Sequence, residues 1–212
     1  LDVRGKSWIV AEGIYDEKEP RPKAEELTGT EVVMYAGGVE EEYGLKILID
    51  GFIASHLTDV ELHIYGQGKY VEQIERISSQ YPNIKYCGAV SPKEMREKMN
   101  EATVLINPRP SNSDFTRFSC PSKVIEYMAS GIPVIMTRLD GIPDDYYQYA
   151  YVIETCDMEG VSAALTRFFN EPANNRIEKA NRARNYILNN KTAKVQVKRL
   201  MDMAIKCHEN SR

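Results

Sequence analysis

Lys123, Glu126 and Ser130 recur at helical spacing in the segment that most constrains this chain. It reads Pro121-Ser122-Lys123-Val124-Ile125-Glu126-Tyr127-Met128-Ala129-Ser130-Gly131, then Ile132-Pro133-Val134-Ile135-Met136. At about 100° per residue, the three polar residues fall within roughly 60° of one another. Val124, Ile125, Met128 and Ala129 fall on the opposite side, where they can face a core. Pro121 suits a first turn and Gly131 a stop. The apolar run at Val134 reads as the next strand, buried on both faces. A helix N-terminus with free N–H groups, a nearby cation and a carboxylate one turn in can hold a phosphate and an adjacent sugar hydroxyl.

From Glu31 onward strands and helices alternate. Val32 to Ala36 is a strand closed by Gly37-Gly38. Gly44 to His56 is helical, with Leu45, Leu48, Ile49, Phe52 and Ile53 on one side. Glu61 to Tyr65 is a strand ending in Gly66-Gln67-Gly68, and Lys69 to Gln80 a helix that buries Val71, Ile74 and Ile77. Ile84 to Cys87 is a short strand. Ser91-Pro92-Lys93-Glu94 is a capping box that starts a helix. Thr103 to Asn107, Pro133 to Thr137 and Tyr151 to Glu154 read as strands. Asp157 to Asn170 and two charged segments up to about Cys207 read as helices.

This order predicts an α/β fold, a Rossmann-like parallel sheet with helices on both faces. Ligands of such sheets bind outside the carboxyl ends of the strands, so the loops at Gly37, Gly66, Gly88, Asn107 to Arg117 and Thr137 should gather on one edge. Three regions are expected. Residues 1–29 are a linker or the remnant of an interdomain connection, residues 30–190 the ligand-binding domain, and residues 191–212 a C-terminal helix. Within the first region, Ser7 to Ala11 could be a strand, and Asp16 to Glu26 is charged and proline-containing.

Composition excludes several classes. A formal charge of −4 gives no nucleic-acid footprint, and 42% apolar residues suffice for an ordinary core. No apolar run approaches the roughly 20 residues of a membrane span. Cys87, Cys120, Cys156 and Cys207 are far apart, which fits a reducing cytoplasm better than a disulfide framework or a zinc site. His56, His63 and His208 have no metal-ligand spacing, so no metal site is expected. The chain has no initiator Met, which suggests that Leu1 follows a truncation or processing event. Lys and Arg in the C-terminal helices are interspersed with acids and read as a solvated face; contact with anionic lipid at the inner face of a membrane is the alternative.

Loop chemistry narrows the site. Gly37 and Gly38 allow close backbone approach to a ligand, but Glu40, Glu41 and Glu42 make their loop acidic and repel a diphosphate. The neutralising charge must come from elsewhere. Lys123 is the first candidate, with Arg109 and Arg117 behind it. Gly66-Gln67-Gly68 is a partial GxGxxG with Val71 at the third position, weak evidence for a dinucleotide and equally compatible with a plain turn. Cys87 reads as a small hydrophobe, and Asp144-Asp145 as solvated.

The 121–135 segment also resembles the donor-binding motif of GT-B glycosyltransferases of the family-4 (group 1, retaining) type. The branch it matches best reads Pro-Ser-Lys-x-x-Glu-Tyr-Met-Ala-x-Gly-x-Pro-Val-Ile, and the resemblance extends over about residues 30 to 200. It implies that Glu126 holds the ribose of a nucleotide sugar and that Ser122 and Lys123 meet its phosphates. Backbone groups near Gly88 and Ala89 would receive the base, and Gly37, Gly38, Gly66 and Gly68 would lie beside the donor. The family usually has cations where this chain has Gly38 and Tyr43, and an acid near the sugar where it has Phe118. Either Asp114 substitutes or the sugar differs.

The resemblance further implies a missing N-terminal acceptor domain and a place in surface polysaccharide synthesis. No cofactor beyond the nucleotide sugar is implied. No catalytic base or nucleophile is identifiable in this half, as expected if chemistry occurs between two domains. A nucleotide-sugar epimerase of the same architecture would need a His near the sugar, and none falls in a candidate loop. A phosphoreceiver module would need paired acids after the first strand, where Ala36-Gly37-Gly38 stands. A non-catalytic nucleotide-binding or scaffolding module is the remaining alternative.

Overall fold

Strand-forming runs and amphipathic stretches alternate in space as they do in the chain. The computed structural model describes residues 13–16, 29–111 and 122–209. Among them, six strands, β1 (Glu31–Ala36), β2 (Val60–Tyr65), β3 (Ile84–Gly88), β4 (Val104–Asn107), β5 (Val134–Thr137) and β6 (Tyr151–Ile153), form one sheet. Its order is β3-β2-β1-β4-β5-β6, and every pairing is parallel. Among the described residues, seven α-helices accompany it: α1 (Leu45–Ala54), α2 (Val71–Ser78), α3 (Pro92–Met99), α4 (Ser122–Ser130), α5 (Met158–Asn170), α6 (Ala173–Asn190) and α7 (Ala193–Glu209).

Strand alternation divides the core into two layers. Met34, Leu105, Val134 and Met136 pack with Val124, Ile125 and Met128 of α4 and Ile187 of α6. Val33, Tyr35, Leu62, Ile64, Val104 and Ile106 pack with Leu45, Leu48 and Ile49 of α1, Ile74 of α2 and Phe168 of α5. Each such side chain contributes about 1.5–3 kcal/mol by leaving water. α1 and α5 approach closely enough that a Cβ on Gly51 would lie 2.5 Å from Val161 Cβ. The Ser91–Glu94 capping box opens α3 as its sequence requires.

Strand order reverses between β1 and β4. The chain runs outward through β2 and β3 on one side and through β5 and β6 on the other. The crevice at the carboxyl ends of β1 and β4 is therefore the topological switch point.

The predicted strand at Ser7 to Ala11 lies outside the described residues. Of the expected linker region, Tyr15 is buried, makes a parallel bridge to Thr192, and donates its N–H to Lys191 O at 2.8 Å. The segment thus packs at the start of α7. On the far side of α7, Val197, Leu200, Met201 and Ile205 are exposed. Among the described residues, no helix is long and apolar enough to cross a membrane.

Candidate functional site

α4 carries its predicted core on Val124, Ile125, Met128 and Ala129, all buried. Its polar stripe does not stay together. Helical spacing predicts Ser130 beside Lys123 and Glu126, facing a ligand. Instead it is buried: its hydroxyl donates to Tyr127 O at 2.6 Å and accepts from Ile132 N–H at 3.1 Å. Gly131 takes a left-handed φ of 79°, so the chain turns immediately after Ser130 and folds over it. Ser130 closes the helix end and belongs to no ligand surface.

Lys123 and Glu126 also part company. Lys123 leans toward the β1 loop. Its Nζ stands 3.2 Å from the Tyr35 hydroxyl and 4.3 Å from the Tyr35 ring centroid, and a Cβ on Gly37 would meet it at 2.7 Å. Burial pulls the Lys123 ammonium down to about 8, with the nearby Arg109 charge acting in the same direction. Glu126 is exposed and lines a half-open cavity of about 460 Å³. Ser122 and Ile125 of α4, Pro92, Met95, Arg96 and Met99 of α3, and Gly13 to Asp16 complete the cavity wall. The first turn of α4 therefore serves two neighbouring environments, a cationic one at the switch point and a carboxylate-bearing cavity beside it.

Tyr127, which helical spacing puts beside Lys123 and away from the apolar side, fixes this geometry. Its hydroxyl donates to Ala36 O at 2.8 Å and accepts from Ala36 N–H at 2.9 Å. Both backbone groups of the last β1 residue are thereby tied to α4. Burial raises the Tyr127 phenol well above its usual range, so it remains a neutral donor. A buried Tyr requires a partner for its O–H, and that requirement was the available signal.

The glycine loops do gather on one edge, in part for a reason other than ligand contact. Gly37 N–H donates to Tyr65 O, Val39 N–H to Gln67 O, and Gly66 N–H to Gly88 O. A Cβ on Gly66 would stand 1.8 Å from Gly37 O, and one on Gly68 would stand 2.0 Å from Val39 O. Gly66 and Gly68 are required so that two loop backbones can touch. Gly88 differs: its φ is 75° and a Cβ there would meet nothing within 4 Å. Ala89 beside it is exposed, which leaves this turn open just before α3. Glu40 Oε1 accepts from Lys69 N–H, so part of the acidic loop caps its neighbour.

Arg109 follows β4 and lies over the Tyr43 ring, 5.2 Å from its centroid. Arg117, Asp114 and Phe118 lie outside the described residues. Cys87 packs against the core and burial pushes its thiol up, against any role as a nucleophile. Asp144 pairs with Arg138 at the surface, and Asp145 accepts from Tyr186. Among the described residues, no three His, Cys, Asp or Glu side chains cluster closely enough to hold a metal ion.

A doubly wound parallel sheet with this edge defines a Rossmann-like α/β domain of the GT-B kind. The chain belongs to the group 1 glycosyl transferases, whose family model matches residues 30–171. The sulfoquinovosyl transferase SQD2 of Arabidopsis thaliana is 26% identical over 113 residues, which is 53% of this chain and 20% of that protein. The chain thus spans only a fifth of the length of that relative.

Two solved structures share the fold. One is the G117R mutant of S. aureus TarM in complex with fondaparinux, alpha-GlcNAc-glycerol and UDP (TM-score 0.70, 14% identity, 87% of this chain and 37% of that one). The other is Anabaena HepE in complex with UDP and glucose (TM-score 0.63, 14% identity, 82% and 48%).

Proposed function

We propose that this chain is the donor-binding half of a glycosyltransferase and takes a nucleoside-diphosphate sugar at the first turn of α4. One observation carries the reading: Lys123 and Glu126, three residues apart, face the switch-point loop and the adjoining cavity, respectively. A diphosphate at Lys123 and a ribose at Glu126 would then lie one helical turn apart. Ser122, at the N-terminal end of α4, adds the positive end of the helix dipole between them. Gly88 and Ala89 leave open space where a base would enter. Family membership supports glycosyl transfer, and the UDP held by TarM and HepE supports a nucleotide ligand.

In this reading the protein supplies position and charge. The bond between the anomeric carbon and the β-phosphate oxygen breaks as the acceptor oxygen bonds to that carbon. The acceptor proton passes to a donor phosphate oxygen. Protein cations stabilise the leaving diphosphate, so no divalent ion takes part. An acceptor-binding domain outside these 212 residues completes the enzyme; the matched parts are only 37% of TarM and 48% of HepE.

Calorimetric titration with UDP, GDP, ADP and CDP tests the proposal. One of them binds, with and without a chelator, and Lys123→Ala weakens the nucleoside diphosphate more than the nucleoside. Binding of none refutes the donor reading and favours the scaffold.

A further inference from the structure

Charge is distributed unevenly along this chain. Residues 173–209, which contain α6 and α7, carry nine Lys and Arg against three Asp and Glu, a net +6. The remainder, with 18 Lys and Arg against 28 acids, carries −10. An asymmetry of this kind points to an anionic partner at the basic end.

α7 adds an apolar face to that charge. Gln196 is buried and donates to Gly13 O, and Val195, Arg199, Met203 and Cys207 are half-buried on the same side, which sets the side that rests on the domain. Val197, Leu200, Met201 and Ile205 are 41–57% exposed, and Ala204 among them is exposed too. At about 100° per residue these five occupy an arc of about 140°, turned away from the domain. Lys194 stands at the N-terminal end of the arc and Lys198 on its flank, with Asp202 further round and outside it. Both lysines are exposed, and among the described residues neither meets a carboxylate.

These features select among partners. A nucleic acid would use the cations and leave the aliphatic side chains in water. A second copy of the chain would use the stripe, but five side chains are far fewer than the roughly 20–30 residues a side of a stable protein interface. It would also bring two basic helices together. An anionic bilayer uses both features, because lysine stems can follow the apolar face while their ammonium groups reach the phosphates. Among the described residues, no helix is long and apolar enough to cross a membrane, so α7 would lie in the bilayer surface and not span it.

We propose that α7 is an interfacial helix that seats the protein on an anionic lipid surface. Val197, Leu200, Met201 and Ile205 enter the headgroup boundary, and Lys194 and Lys198 meet the lipid phosphates. The assignment is independent of what α4 binds.

Co-sedimentation of the whole chain with lipid vesicles tests it. Vesicles of phosphatidylcholine and phosphatidylglycerol in equal parts bind wild type, and added salt weakens this binding. Vesicles of phosphatidylcholine alone bind it at least about 10-fold more weakly. Lys194→Gln with Lys198→Gln weakens binding to the anionic vesicles about 10- to 30-fold, since each cation at such a surface contributes a factor of about 5. Leu200→Gln with Met201→Gln weakens it at least about 10-fold. All four side chains are exposed, so both variants keep the wild-type unfolding midpoint.

Absence of binding to the anionic vesicles overturns the proposal. Equal affinity for the two vesicle types does so as well, as does unchanged affinity in Leu200→Gln with Met201→Gln. A dimer seen by analytical ultracentrifugation without lipid, and dissociated by that variant, assigns the stripe to a second copy and overturns the proposal too. Loss of vesicle binding when the acceptor-binding domain is joined to the chain assigns the stripe to that domain, with the same consequence. If Leu200→Gln with Met201→Gln does not fold, the lysine pair decides, and unchanged affinity there overturns the proposal. Vesicle binding with no nucleotide binding refutes the donor reading and leaves the lipid surface standing.

Discussion

The Lys123 ammonium lies 3.2 Å from the Tyr35 hydroxyl, which in turn holds the carbonyl of Gly38. This relay couples the first turn of α4 to the turn after β1. It also places a desolvated cation at the switch point of the sheet, where its protonation governs what can bind.

Affinity for a nucleoside diphosphate should fall as pH rises above 8. Free Lys123 loses its proton near there, and a bound anion raises its pKa again. Binding between about pH 9 and 10 therefore takes up close to one proton. Titrations in buffers of different ionisation enthalpy measure this uptake, and Lys123→Met abolishes it. Uptake that persists in Lys123→Met would assign it to another group.

Lys123→Met should also stabilise the free protein at pH 7. The folded pKa of about 8 lies below the ordinary lysine value of 10.5, so the unfolded chain holds more protons between them. Stability of wild type rises with pH across that window, and the cost of the buried charge is fully present below it. The variant gains roughly 1–3 kcal/mol at pH 7, an advantage that fades toward pH 10.5. Urea unfolding at pH 7 and pH 10 gives the two values. A variant that is less stable at pH 7, or whose advantage does not shrink with pH, contradicts this account of Lys123.

Tyr127→Phe leaves both backbone groups of Ala36 without their partner. The expected loss is about 1–3 kcal/mol in chemical unfolding. A loss below about 0.5 kcal/mol would mean that the tie between α4 and β1 is incidental.

Gly66 and Gly88 should respond differently to alanine. At Gly66 the added carbon strikes Gly37 O, and the variant should lose more than about 4 kcal/mol or fail to fold. At Gly88 only the left-handed backbone opposes the change, which costs about 1–2 kcal/mol. Similar unfolding midpoints for the two variants would remove the argument that the β1 and β2 loops touch through Gly66.

Much of this architecture was legible in the chain because burial and periodicity are local signals. Val124, Ile125, Met128 and Ala129 declared the buried side of α4, and the alternating apolar runs declared a parallel sheet. The same periodicity misplaces Ser130, since an angle about a helix axis carries no information on the chain reversal at Gly131. Gly66 and Gly68 look like ligand-loop glycines, whereas loop-to-loop contact depends on two segments some 30 residues apart. Tyr43 reads as the loss of a cation. Only the fold brings Arg109 over its ring from a loop more than 60 residues away, and no sequence window contains that pairing.

Glu126→Gln is the most direct test of the central claim, that α4 holds the ribose of a nucleotide sugar. Its carboxylate would accept hydrogen bonds from both ribose hydroxyls, and each charge-assisted bond weakens when the charge is removed. Titrated with the nucleoside diphosphate that binds wild type, the variant should lose about 1.5–3 kcal/mol of binding. Its thermal midpoint should stay within a degree or so of wild type, because Glu126 faces the cavity and not the core. Unchanged nucleotide affinity in a folded Glu126→Gln protein would contradict the account.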